Sequence, residues 1–186
     1  MDQHFITFTG AHGVGKTSLI DEVTLRAVNR EDISVIREPA REIAKRGFYV
    51  NDKISLDGVF EYLGYCLAEA RQVQTNLVLT DRSILDLYAY TRDQFPHRFS
   101  YSLEKLIIEQ IHAEKHKTRL YAYLPIEFPM EDDDLRPADL GYQSYIDGVI
   151  RELLVYFDMP TIEVRGSIEE RAEQLMDAIT RLSETT

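Results

Sequence analysis

The chain has 186 residues, with 21 Lys and Arg against 32 Asp and Glu, which makes the formal net charge −11. This length predicts a single domain over residues 1–186, and an apolar content of 44% excludes a disordered chain. The acidic charge disfavours nucleic acid as a partner, because a phosphate backbone is repelled at long range. The single Cys66 excludes an internal disulfide framework. With no signal-like N-terminus and no apolar run of membrane-spanning length, we expect a cytoplasmic protein without membrane attachment.

Short apolar runs alternate along the chain with longer segments of helical periodicity. The predicted strands, rich in β-branched and aromatic residues, are Phe5–Thr9, Ile33–Ile36, Leu77–Thr80, Leu120–Leu124 and Thr161–Val164. The predicted helices are Lys16–Val28, Leu56–Gln74, Ser83–Thr91, Leu103–Glu114, Tyr142–Tyr156 and Ile168–Leu182. Such alternation is the pattern of a parallel sheet covered on both faces. We therefore predict a three-layer α/β/α fold around a five-stranded parallel sheet.

One segment differs in composition from the rest of the chain. Glu127–Asp139 is acidic and contains Pro129 and Pro137, which is typical of a loop. We expect this region, about residues 126–142, to form a flexible lid.

The first predicted strand leads into Gly10-Ala11-His12-Gly13-Val14-Gly15-Lys16-Thr17, after which a helix begins. This is the GxxxxGK[ST] pattern in the strand–loop–helix context of a phosphate-binding P-loop. Its glycines let successive N–H groups point inward, and the helix adds the positive end of its dipole. Lys16 is expected to reach the β- and γ-phosphates of ATP, and the Thr17 hydroxyl to ligate Mg²⁺. The predicted nucleotide-binding residues of this segment are Gly10, Ala11, His12, Gly13, Val14, Gly15, Lys16, Thr17 and Ser18.

Two carboxylates follow predicted strands directly. Glu38 comes after the second strand and Asp81 after the third, at strand ends that face the nucleotide crevice of a parallel sheet. Asp81 could hold the Mg²⁺ shell with Thr17, or cap the helix that begins at Ser83. Glu38 could accept the proton of an attacking hydroxyl, bind a sugar hydroxyl, or only complement a helix dipole. Which of the two carboxylates is the base is left open.

The combination of motifs resembles the thymidylate kinase and deoxynucleoside kinase branch of the P-loop kinases. Arg37-Glu38-Pro39 matches the Arg-Glu-Pro of thymidylate kinases, although Ala40-Arg41 follows where those kinases have Gly-Gly-Thr. Asp81-Arg82-Ser83 is similar to the Glu-Arg-Ser of deoxynucleoside kinases, and Ala89-Tyr90 repeats the spacing of thymidylate kinases. The Glu-x-x-Arg of Glu38–Arg41 resembles an AAA-like kinase family that contains ribosylnicotinamide kinases.

This resemblance implies roles for further residues. Arg82 would hold the phosphate or 5′-hydroxyl of the acceptor, and the lid residue Arg136 would close over the phosphates. Ser167 lies in a segment that resembles the adenine-contacting loop of relatives. The implied catalytic residues are Lys16, Glu38, Asp81, Arg82 and Arg136. The implied acceptor-binding residues are Glu38, Arg41, Arg71, Gln72 and Arg82.

The sequence therefore predicts an ATP- and Mg²⁺-dependent phosphotransferase acting on a small nucleoside or nucleoside monophosphate, with a homodimer left open. One alternative is a regulatory NTPase whose hydrolysis acts as a switch for a protein partner. The guanine-reading Asn-Lys-x-Asp of a GTPase switch is absent, since no Asn-Lys pair occurs. Another alternative is a kinase acting on a modified base or an end in DNA, which would need a basic groove.

Overall fold

The computed structural model describes residues 3–27, 33–50, 53–95, 97–128 and 139–184. The strands are β1 (His4–Thr9), β2 (Ile33–Ile36), β3 (Leu77–Asp81), β4 (Thr118–Tyr123) and β5 (Thr161–Glu163). The helices are α1 (Lys16–Arg26), α2 (Pro39–Lys45), α3 (Leu56–Gln72), α4 (Ile84–Thr91), α5 (Tyr101–Lys115), α6 (Leu140–Tyr156) and α7 (Ile168–Glu184). A short 3₁₀ helix, Arg92–Gln94, follows α4. None of the helices within these ranges combines the length and apolarity needed to cross a bilayer.

The strands form one parallel sheet in the order β2-β3-β1-β4-β5. The central strand β1 is buried over its whole length except its first residue, which explains its nearly continuous run of apolar residues and threonines. Right-handed crossovers place α1 on one face of the sheet and α3 to α6 on the other. On the first face α7 packs against α1. The predicted three-layer α/β/α fold with five parallel strands is thus confirmed.

Local signals explain where the helices begin. The hydroxyls of Ser55, Ser83 and Ser100 accept hydrogen bonds from first-turn N–H groups of α3, α4 and α5, and Pro39 occupies the first turn of α2. Most boundaries differ from the predicted ones by one or two residues. The third helix ends at Gln72, since Val73 is already extended. Of the predicted lid, residues 129–138 lie outside the described residues.

Strand register brings the residues after β2 and β3 together. Ile36 of β2 is aligned with Thr80 of β3, so Glu38 and Arg82, each two residues further on, leave adjacent strands at the same level. The neighbouring strand β1 ends at the same edge, because its Phe8 is aligned with Asp81. The phosphate-binding motif and both predicted carboxylates therefore follow neighbouring strand ends.

Candidate active site

The loop between β1 and α1 has the backbone that its glycines predict. Gly10 has φ +143°, and a Cβ there would lie 2.5 Å from the carbonyl oxygen of Leu124. Gly15 precedes α1 with φ +88°, a conformation that side chains rarely allow. No side chain from the described residues caps α1. The N–H groups of its first turn, with the helix dipole, are thus left for an anion.

Lys16 is folded back onto this loop. Its Nζ donates hydrogen bonds to the carbonyl oxygens of Gly10, at 2.9 Å, and Ala11, at 2.6 Å, and the side chain is buried. Burial, and next the nearby Arg82 guanidinium, lower the pKa of Lys16 to about 7. An anion in the loop would therefore stabilise the charged form of this lysine.

Thr17 and Asp81 meet beside the loop. The Thr17 hydroxyl donates to Asp81 Oδ2 at 2.6 Å, and Asp81 is almost fully buried. Within the described part of the chain, Asp81 Oδ1 has no hydrogen-bond partner. A buried carboxylate oxygen without a partner is costly unless something binds it, and a hydroxyl and a carboxylate are oxygen ligands of the kind Mg²⁺ prefers. These two residues thus fit the predicted metal site.

Glu38 and Arg82 form a buried ion pair next to the loop. Arg82 Nε donates to Glu38 Oε1 at 2.7 Å, and Arg41 Nε donates to Glu38 Oε2 at 2.8 Å. The Arg82 guanidinium also lies 5.2 Å from the centre of the Tyr90 ring. Its backbone has φ +79°, a left-handed conformation that is uncommon for a non-glycine residue. A strained residue in a buried charge cluster is typical of a functional site.

Asp86 supports this pair, although none of the sequence motifs indicated it. Its carboxylate accepts from the Ser83 N–H at 3.0 Å and from the Thr9 hydroxyl at 3.1 Å, and lies 3.4 Å from Arg82 Nη1. Burial raises the pKa of this fully buried group. Asp86 closes a capping box with Ser83, and the Ser-x-x-Asp spacing is the signal that could have identified it.

Arg171 of α7 is a second residue that the motifs did not indicate. Its Nη1 donates to the Val14 carbonyl at 2.9 Å, its Nη2 to Glu127 Oε2 at 2.7 Å, and its guanidinium lies 5.2 Å from the centre of the Phe128 ring. Together with Gly13, Gly15 and Gly166 it lines a cavity against the phosphate-binding loop. Arg171 differs from the charged residues around it in being buried. The sequence alone does not reveal this burial.

Ser167 lies next to that cavity but caps α7. Its N–H donates to Glu170 Oε2 at 2.7 Å, and its hydroxyl accepts from the Glu170 N–H at 3.3 Å. The preceding Gly166 donates its N–H to Glu127 Oε2 at 3.0 Å. The predicted adenine-contacting loop thus borders the cavity through its glycine.

His12 connects the loop to two helices. Its carbonyl accepts from Gln143 Nε2 of α6 at 2.7 Å, and its Nδ1 lies 3.1 Å from the Tyr90 hydroxyl of α4. The ring is buried, 5.8 Å from that of Tyr142. Because α6 follows the predicted lid, these contacts join the loop to the end of that segment.

Three predicted residues are not part of this cluster. Arg71 and Gln72 are exposed at the end of α3, near the amino edge of the sheet, where Gln3 Nε2 donates to the Val73 carbonyl at 2.6 Å. A helix that ends just before β3 begins must finish at the edge opposite the phosphate-binding loop, so the structure does not place this pair at an acceptor. Arg136 lies outside the described residues.

Comparisons with known proteins agree with the fold. A family model described as an AAA domain matches residues 5–171. A comparison with curated proteins finds no match. Among solved structures, the chain is similar to NadR protein in complex with NR, with TM-score 0.79 and 19% identity over 97% of this chain and 51% of that one.

Two shorter kinases are similar over almost their whole length. Thymidylate kinase from Ehrlichia chaffeensis has TM-score 0.63 and 13% identity, with 97% of this chain and 100% of that one covered. Deoxyadenosine kinase from M. mycoides with bound dATP has TM-score 0.70 and 14% identity, with 95% and 99% covered. The chain spans about half the length of the NadR protein chain. On these matches, the chain belongs to this AAA domain family and has the α/β fold of P-loop nucleoside and nucleotide kinases.

Proposed function

We propose that the protein is an ATP- and Mg²⁺-dependent phosphotransferase whose acceptor is a small nucleoside or nucleoside monophosphate. The observation that carries the proposal is the juxtaposition of two half-sites. The loop with Lys16, Thr17 and Asp81 supplies groups for a polyphosphate, and the buried Glu38–Arg82 pair lies at the neighbouring strand end. Phosphoryl transfer requires such an arrangement, because its catalysis depends on positioning and charge stabilisation.

On the donor side, the residues of the loop bind and orient the polyphosphate. Loop N–H groups hydrogen-bond its oxygens, and Lys16 exchanges its bonds to the Gly10 and Ala11 carbonyls for the β- and γ-phosphates. Mg²⁺, when held by Thr17 and Asp81, would neutralise phosphate charge. The cavity beside Arg171 and Phe128 is the place for the donor base, since an aromatic ring and a planar guanidinium can both stack on it.

On the acceptor side, the chemistry depends on the acceptor group. With a nucleoside, Glu38 accepts the hydroxyl proton as the oxygen bonds to the γ-phosphorus and the bond from that phosphorus to the β-phosphate oxygen breaks, releasing ADP. With a monophosphate no base is required, and Arg82 binds the acceptor charge. A small apolar pocket lined by Ile54, Tyr62 and Tyr90 adjoins Arg82 and has the character of a nucleoside site.

The structural neighbours support a kinase-type phosphotransferase. They include a thymidylate kinase, a deoxyadenosine kinase with bound dATP and a NadR protein bound to NR. The sequence resemblance to kinases that include ribosylnicotinamide kinases makes nicotinamide riboside a third kind of acceptor to test.

The test is a screen of nucleosides, nucleoside monophosphates and nicotinamide riboside for ATP turnover above the rate without acceptor. We expect one class to raise turnover at least tenfold, and Lys16→Ala to abolish the effect by removing charge from the γ-phosphate. The matched control is Lys105→Ala, a lysine whose side chain is exposed on α5, which should leave turnover unchanged. A rate that no acceptor changes would refute the kinase proposal and favour the hydrolytic switch.

A further inference from the structure

A third cavity, of about 90 Å³, lies between α3 and α5 on the sheet face that carries α4. Its walls are mainly apolar, with Phe5 and Ile36 from the sheet, Leu67 and Ala70 from α3, and Ile84 from α4. Phe5, Ile36 and Val78 form a small buried cluster separate from the main core. The cavity therefore occupies a break in the packing, and no residue of the phosphate-binding loop lines it.

One carboxyl group lies in this apolar wall. Glu114 of α5 accepts a hydrogen bond at its Oε2 from the N–H of Ile84, at 3.0 Å. No ion pair of the described residues involves Glu114, although Lys117 lines the same cavity and its charge acts on the carboxyl group. Burial raises the pKa of Glu114 to about 8, with a further increase from the Asp86 charge and a decrease from Lys117. Glu114 is thus a half-buried acid that forms no ion pair with the described residues.

The groups around Glu114 do little to neutralise its negative charge. The titratable and charged groups that face it from neighbouring elements are Cys66, Arg82, Asp86, Lys117 and Tyr121. The Tyr121 side chain is fully buried, and its hydroxyl has no hydrogen-bond partner among the described residues. Burial, and next the Glu114 charge, raise the pKa of Tyr121. Arg82 is already paired with Glu38 and Asp86, so Lys117 is the cation of the cavity lining that is left for Glu114. An ammonium group placed in the cavity would therefore give this carboxylate an ion pair that the described residues do not supply.

We propose that this cavity binds a small amphiphilic cation, a compact hydrocarbon body with one primary ammonium group. The ammonium pairs with the Glu114 carboxylate, and the body packs against Phe5, Leu67 and Ile84. Apolar contact supplies most of the affinity, and the charge-assisted hydrogen bond supplies the orientation. A neutral ligand of the same shape lacks that pairing and should prefer the protonated acid.

The cavity shares a wall residue, Arg82, with the proposed acceptor site. Ile84, whose N–H bonds Glu114, is the first residue of α4, and Ser83 and Arg82 precede it and line the same cavity. An ammonium that binds Glu114 Oε2 competes with this N–H bond at the start of α4. Such a ligand would therefore change the conformation of the turn that positions the Arg82 side chain. The cavity is thus suited to regulating the proposed acceptor site.

The test compares cyclohexylamine with cyclohexanol by titration calorimetry between about pH 6.5 and pH 9. Amine affinity should rise roughly 30-fold over this range, following the ionised fraction of a carboxyl with a pKa of about 8. Cyclohexanol affinity should stay constant or fall. Glu114→Gln should lower amine affinity at least tenfold at pH 9 and remove its pH dependence, whereas Glu109→Gln, an exposed residue of α5, should do neither.

Amide NMR of the unmodified protein locates the site without any variant. Amine-induced shifts should cluster at Phe5, Leu67 and Ile84 and leave Gly13 and Gly15 unchanged. Shifts confined to the phosphate-binding loop, an amine affinity independent of pH, or no saturable binding at pH 9 would each overturn the proposal. It stands apart from the proposed phosphotransfer, because none of these readouts requires ATP or an acceptor.

Discussion

At the residue scale, the most informative side chain is Glu38. It is almost fully buried, yet both carboxylate oxygens are bonded to guanidinium groups, from Arg82 and Arg41. These two bonds fix Glu38 inside the charge cluster, and a carboxylate that only complements a helix dipole would need neither of them. That Glu38 meets the acceptor stays a prediction.

The substitution Glu38→Gln should affect phosphorylation of a nucleoside and of a nucleoside monophosphate differently. Glutamine keeps the size of the side chain but cannot accept a proton, so nucleoside phosphorylation should fall about 10²–10⁴-fold in kcat. Transfer to a monophosphate, which needs no base, should fall far less. The measurement is kcat for the acceptor found in the screen, with Glu42→Gln on α2 as the control. Equal losses with both variants would mean that Glu38 has only a structural role.

The sequence indicated residues that lie close together where a motif fixes their position. Lys16, Thr17, Asp81 and Glu38 were named from the motif and the strand ends, and Arg82 from the resemblance to P-loop kinases. The structure brings these five residues together, and their roles stay predictions. The motifs did not indicate Arg171, because its contacts to Val14 and Glu127 join residues far apart in the chain. Arg71 and Gln72 are exposed at the end of α3 and lie outside this cluster, since a matching residue pair does not determine which end of a helix faces the site.

At the element scale, α4 connects the site to the core. Its N-terminus is fixed by the capping box of Ser83 and Asp86, and Asp86 additionally holds the Thr9 hydroxyl at the end of β1. The sequence predicted this helix from its apolar periodicity, and the structure confirms it within one residue. The extent of α2 was not predicted, because a seven-residue helix is too short for its periodicity to be distinctive.

The substitution Asp86→Ala should reveal how much the contacts of Asp86 contribute to the free energy of unfolding. The substitution removes the cap of α4 and leaves the buried Arg82 and Thr9 with fewer partners, so we expect a loss of about 3–5 kcal/mol in unfolding free energy. Ser100→Ala removes only the cap of α5 and should cost about 1 kcal/mol. Urea unfolding of both variants measures the difference. Similar losses would show that Asp86 acts as an ordinary cap.

At the scale of the whole molecule, the net charge of −11 coexists with a glycine-rich loop whose helix end suits an anion. Among the described residues near this loop, Lys16 and Arg82 are positively charged and buried, so solvent screens them little. The sequence predicted the sheet and its layers because strand–helix alternation constrains the topology strongly. It could not predict the cavity between α3 and α5, which depends on how two separate apolar clusters pack.

The pH dependence of stability distinguishes the effect of Glu114 in that cavity from the effect of the overall negative charge. The pKa of Glu114 is raised from 4.5 to about 8, so the folded state binds the proton more tightly than the unfolded state. The free energy of unfolding must therefore fall as pH rises through this window, with the full penalty present above about pH 8. Glu114→Gln carries no such penalty, and because Glu114 is only partly shielded from water we expect it to be about 2 kcal/mol more stable than the wild type near pH 8.5. Glu109→Gln changes the net charge by the same amount from an exposed position on α5. If thermal unfolding from about pH 5 to pH 9 shows the same gain for both variants, general charge repulsion and not the carboxyl group of Glu114 causes the loss of stability with rising pH.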